Sequence, residues 1–130
     1  MNHEALRLKP NDPVILWSLG NAVKSEGRLE EAITAYRQAL SGKADFPEAH
    51  NNLGAALEDK GEVESALAKY REALRLRPDD AIAHNNLGFA LAAQGNLEPA
   101  VKEYYEAIRL RPDFVKAHLN LGRVLADKGD

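Results

Sequence analysis

The hexapeptide Ala49-His50-Asn51-Asn52-Leu53-Gly54 returns as Ala83-His84-Asn85-Asn86-Leu87-Gly88 thirty-four residues later, and that period governs the chain. Leu19-Gly20 and Ala117-His118-Leu119-Asn120-Leu121-Gly122 stand in the same register, so four Leu-Gly pairs align without an insertion. Further columns hold Gly27, Gly61, Gly95 and Gly129, then Ala32, Ala66 and Ala100, then Tyr36, Tyr70 and Tyr104, then Ala39, Ala73 and Ala107. A fixed period of this length means stacked copies of one supersecondary unit, because a single unit has too little apolar surface to form its own core.

Within one period, Ala83, Leu87, Ala90 and Leu91 recur at three- and four-residue spacing, which predicts a helix over 81–94 stopped by Gly95-Asn96. A second helix is expected from about Glu98 to Arg111. Leu97, Ala100, Val101, Tyr104, Ala107 and Ile108 form its apolar stripe, and Pro112-Asp113 ends it. Pro99 falls in the first turn, where no backbone donor is lost. The small residues Gly88, Ala100 and Ala107 allow two antiparallel helices to approach, with Tyr104 filling the space beside them. The expected fold is therefore all-α, a right-handed solenoid of antiparallel helix pairs with a concave and a convex face.

Leu53-Gly54, Leu57, Gly61, Ala66, Tyr70, Ala73 and Pro78 stand at the spacing of the tetratricopeptide repeat (TPR), and the chain resembles that family over essentially its whole length. The repeats are framed as 13–46, 47–80 and 81–114, with 1–12 as the end of a truncated repeat and 115–130 as the first helix of another. Two departures stand out. Leu16, His50, His84 and His118 replace the bulky aromatic that usually opens the pattern, and Ser41-Gly42-Lys43-Ala44 replaces the Arg-Leu-Arg-Pro of later repeats. The corner at 41–44 is expected to be looser, with Phe46 and Pro47 restarting the next helix. The partial repeats at the two ends together fall six residues short of one unit. Head-to-tail association of copies into a homo-oligomer is a consequence to be tested.

First helices of stacked hairpins line the concave face, and there Asn52, Asn86 and Asn120 recur, with Ser18 in the first repeat. Neighbouring hairpins set such residues roughly 10 Å apart, about three residues of extended chain. An asparagine carries a donor and an acceptor and can pair with a peptide group as another backbone would. The array is similar here to the asparagine-lined superhelix of O-linked N-acetylglucosamine transferases, and the resemblance implies peptide binding without any transferase chemistry. That family commonly has alanine where this chain has Gly20, Gly54, Gly88 and Gly122. The structural alternative is that these amides bond to neighbouring hairpins, and the sequence leaves both readings open. Asn21, Asn51, Asn85, Glu48, Lys116, Phe89, Arg123 and Trp17 are expected to share the groove and set side-chain preference. TPR modules that clasp chaperone C-termini use lysine, arginine and asparagine on three consecutive repeats. Asn21 and Asn52 fit two of those places, but Trp17, Ile82 and Asn86 stand where the bases belong.

His50, His84 and His118 lie on successive hairpins, a helix diameter apart, so they cannot share one ion at about 2 Å and are read as packing residues. Basic residues such as Arg75, Arg77, Arg109 and Arg111 gather at the ends of second helices and Glu30, Glu31, Glu64 and Glu98 at their starts, an arrangement that complements the helix dipole. A net charge of −3 and 6% aromatic residues argue against a nucleic-acid or anionic-membrane partner. No phosphate loop, nucleophile elbow or His-Glu-x-x-His segment occurs, so neither an enzyme nor a cofactor is expected. The lack of cysteine fits a reducing compartment such as the cytoplasm. A protein or peptide is the expected partner.

Overall fold

The computed structural model describes residues 12–129, which form seven α-helices and no strand. They are α1 (Pro13–Ser25), α2 (Leu29–Gly42), α3 (Pro47–Asp59), α4 (Val63–Leu76), α5 (Ala81–Ala93), α6 (Leu97–Leu110) and α7 (Val115–Asp127). The expected partial second helix at 1–12 lies outside the described residues except for Asp12, which caps α1. Its carboxylate accepts from the Val14 and Ile15 N–H groups at 2.9 and 3.3 Å.

Each hairpin turns on a glycine. Gly27, Gly61 and Gly95 have φ of 82°, 95° and 84°, a left-handed conformation that reverses the chain at low cost only without a β-carbon. The N–H one residue later returns to the helix, as in Glu62 N to Leu57 O at 2.8 Å and Asn96 N to Leu91 O at 2.9 Å. Carbonyls that would otherwise end the helix unpaired are thereby satisfied.

Within each hairpin the glycine and tyrosine columns meet. A β-carbon built on Gly20, Gly54 or Gly88 would fall 2.6, 2.6 or 2.8 Å from Cε1 of Tyr36, Tyr70 or Tyr104, so the ring packs directly on the glycine backbone. The three rings are buried, and the alanines at 32, 66, 100, 39, 73 and 107 are fully enclosed. One apolar core runs unbroken from Val23 to Val124. This close approach accounts for glycine, rather than alanine, in the column.

Successive hairpins stack second helix to first helix, and the first helices α1, α3, α5 and α7 also touch their neighbours along one face. Among the described residues no contact joins the second helices to one another, so the stack is tighter on the first-helix side. The histidine column holds the corners. Nε2 of His50, His84 and His118 lies 2.9, 2.8 and 2.8 Å from the carbonyls of Ala44, Pro78 and Pro112, six residues back. At 41–44 the residues depart from the pattern but the geometry is kept: α2 has 14 residues like α4 and α6, and buried Phe46 packs on Trp17 at 5.6 Å between ring centres.

Candidate functional site

The first-helix face carries the asparagine column, but its members are not equivalent. Asn52 is half-buried, and its amide donates to Asn21 Oδ1 at 2.8 Å across the first hairpin junction. The same Asn21 oxygen receives the Tyr36 hydroxyl at 2.5 Å, while Asn52 Oδ1 takes a long 3.5 Å contact from the Trp17 indole N–H. Asn120 donates to Asn85 Oδ1 at 3.1 Å across the third junction. Asn86, half-buried between them, makes no side-chain hydrogen bond among the described residues. Ser18, in the same column, is exposed.

Asn51 and Asn85 are buried, at 8% and 6% exposure, and form the walls between hairpins rather than an open surface. The Asn51 amide donates to Asp80 Oδ2 at 3.1 Å, and its buried carbonyl has no protein partner. Asp80 is thereby shared, because its other oxygen caps α5 through the Ala83 N–H at 3.1 Å.

Two hollows in repeat register open on this face. The first, about 250 Å³, is lined by Trp17, Glu48, Asn51, Asn52, Ala55, Arg77, Asp80, Ile82 and Asn86. The second, about 360 Å³, is lined by Ile82, Asn85, Asn86, Arg111, Phe114, Val115 and Lys116. Ile82 and Asn86 stand on the ridge common to both. A third hollow of about 190 Å³ brings Phe89, Asn120, Arg123 and the edge of Tyr104 together. Phe89 is 47% exposed there, and burial helped by the Glu58 charge pushes the Tyr104 hydroxyl up to about 12. Of the residues expected to share the groove, Ser18 and Asn21 line none of these three hollows.

Arg77 and Arg111, whose sequence positions suggested only helix-dipole partners, also line the hollows. In the first, Arg77 binds Glu48 at 2.7 Å. Partial burial pushes the Glu48 carboxyl up, but its own backbone N–H and the Arg77 guanidinium outweigh that and hold it below its ordinary value. Aligning position 48 with 82 and 116 would have pointed to this pairing, since charge changes along that column while the helix ends do not. Among the described residues no group of three His, Cys, Asp or Glu is placed to hold a metal, and no helix is long and apolar enough to cross a membrane.

The TPR repeat family model matches residues 20–61, 59–95 and 90–129. The chain belongs to the tetratricopeptide repeat family. Solved TPR-like structures superpose closely. The first TPR of Spaghetti (RPAP3), bound to the HSP90 peptide SRMEEVD, has a TM-score of 0.89 at 23% identity over 92% of this chain and 94% of that one. MamA has a TM-score of 0.90 at 25% identity, over 98% and 75%. A mutant of the Thermobaculum terrenum O-GlcNAc transferase has a TM-score of 0.83 at 30% identity, over 87% of this TPR chain and 22% of the transferase. No curated protein matches the chain.

Proposed function

We propose that this TPR array is a protein-interaction scaffold that receives an extended peptide or a partner's helix along the first-helix face. The observation that carries the reading is Asn86: a half-buried amide with both donor and acceptor unengaged, on the ridge between two hollows in repeat register. A peptide group laid over Asn86 gains two hydrogen bonds independent of ligand sequence, while the hollows receive the flanking side chains. The rigid stack leaves little ordering cost on the receptor side. The same architecture in Spaghetti holds a peptide, which supports the reading at the level of the fold. The test is affinity selection from a library of blocked octapeptides, followed by mapping the selected peptide on ¹⁵N-labelled protein. Shifts concentrated on α3, α5 and α7 residues around Asn86 are expected, and shifts confined to the second helices would contradict the proposal.

The outer face of α7 favours a second reading, in which the array's partner is another copy of itself. Val115 and Leu119 are 66% and 65% exposed, and Gly122 has nothing within 4 Å of a built β-carbon, whereas the three preceding glycines each carry a tyrosine ring. Residues 4–10, Glu-Ala-Leu-Arg-Leu-Lys-Pro, match 72–78 in sequence except that Lys9 stands at the Arg77 position. Mass by light scattering should then grow with concentration and return to monomer when a polar helix is appended after Asp130. A constant monomer mass would exclude this reading.

A further inference from the structure

We infer, on the groove reading above, that the hollow at Arg111 selects an acidic side chain of the bound segment. The comparison that carries this is internal to the chain. Arg77 and Arg111 close α4 and α6 with nearly the same backbone, φ −142° and ψ 86° against φ −147° and ψ 84°, so their side chains start from equivalent places. At Arg77 the protein supplies its own carboxylates: Glu48 at 2.7 Å and Asp80 at 4.0 Å. One repeat on, Ile82 stands in the Glu48 column and Phe114 in the Asp80 column, and the next member of the Glu48 column is Lys116. Among the described residues neither Arg111 nor Lys116 has a carboxylate within 4 Å. The hollow has thus kept its guanidinium, lost both internal acids and gained a second cation.

The Arg111 guanidinium carbon lies 4.8 Å from the centre of the Phe114 ring. A guanidinium stacked on an aromatic face keeps the N–H donors along its edge, which match a carboxylate in two parallel bonds. Glu48 meets Arg77 through a single contact, Nη2 to Oε2 at 2.7 Å, and a ligand carboxylate would take the corresponding place at Arg111. With the Trp17 and Ile82 hollow about 10 Å away, the preferred ligand has an apolar residue and an acidic one roughly three positions apart. Glu48 and Asp80 in the neighbouring hollow repel a polyanion running the length of the face, which favours a peptide with one acid over a nucleic acid.

The test is a positional-scanning library of N-acetylated, C-amidated octapeptides, whose only carboxylates are side chains, bound to the wild-type chain, R111Q and I82E. The expected result is a preference for Glu over Gln of about tenfold at one position, in line with a charge-assisted pair. Arg111→Gln should reduce that Glu-over-Gln ratio to less than about twofold. Ile82→Glu, which supplies the internal acid found at Arg77, should remove the preference as well. Binding without acid preference, or a preference that survives both substitutions, overturns this inference and leaves the groove reading intact. A library in which nothing binds overturns both. A single-stranded oligoribonucleotide that binds the wild type and not R111Q would assign the hollow to phosphate and overturn the peptide assignment.

Discussion

Cε1 of Tyr70 lies 2.6 Å from where a β-carbon on Gly54 would stand, while a β-carbon on Gly122 would meet nothing within 4 Å. Both glycines are helical, so alanine gains the same propensity at each, about 1 kcal/mol. At Gly54 that gain is opposed by overpacking of a ring that is 1% exposed and has nowhere to move, a cost of about 1–3 kcal/mol. Gly54→Ala should therefore lower stability by about 1 kcal/mol, and Gly122→Ala should raise it by up to about 1 kcal/mol. Urea unfolding followed by circular dichroism checks both, and equal effects would contradict the packing account.

The same pair shows how much the sequence could reveal. Columns of Gly, Ala and Tyr at a fixed period prescribe the hairpin and its stacking, because those positions admit few side-chain sizes. The asparagines were less legible. Asn52 and Asn86 share the run Ala-His-Asn-Asn-Leu-Gly, yet Asn52 is engaged by Asn21, whereas Asn86 has Ala55 at that position and no side-chain hydrogen bond among the described residues, and Asn120, with Phe89 there, is engaged by Asn85 instead. A column states where a residue sits; its neighbours one repeat away decide whether its polar groups are already used.

His84 gives a pH dependence. Burial lowers its pKa, but the hydrogen bonds to Glu103 at 2.7 Å and to the Pro78 carbonyl at 2.8 Å, with the carboxylate charge, raise it above the ordinary value. A histidine raised in the folded state contributes stability that is whole below its unfolded pKa of about 6.5 and is lost as pH rises through the folded value. The Tm deficit of His84→Gln relative to wild type should be larger near about pH 5.5 than near about pH 8.5, and Glu103→Gln should flatten the difference.

Asn52 and Asn120 bridge hairpins through their amides, so Asn52→Ala and Asn120→Ala should each cost about 1 kcal/mol of stability. Asn86→Ala breaks no protein hydrogen bond and should leave the melting curve within about 0.5 kcal/mol of wild type. Thermal melts of the three single variants decide this, and a clear loss in Asn86→Ala would mean that its side chain is engaged after all.

That separation makes Asn86 the cleanest probe of the binding face. The deciding measurement is fluorescence anisotropy of a dye-labelled octapeptide, chosen by selection on the wild-type chain, against wild type and Asn86→Ala. Loss of two hydrogen bonds to a peptide group predicts binding weaker by about tenfold at unchanged stability. Equal affinity of the two proteins would contradict the claim that an extended segment is read across Asn86.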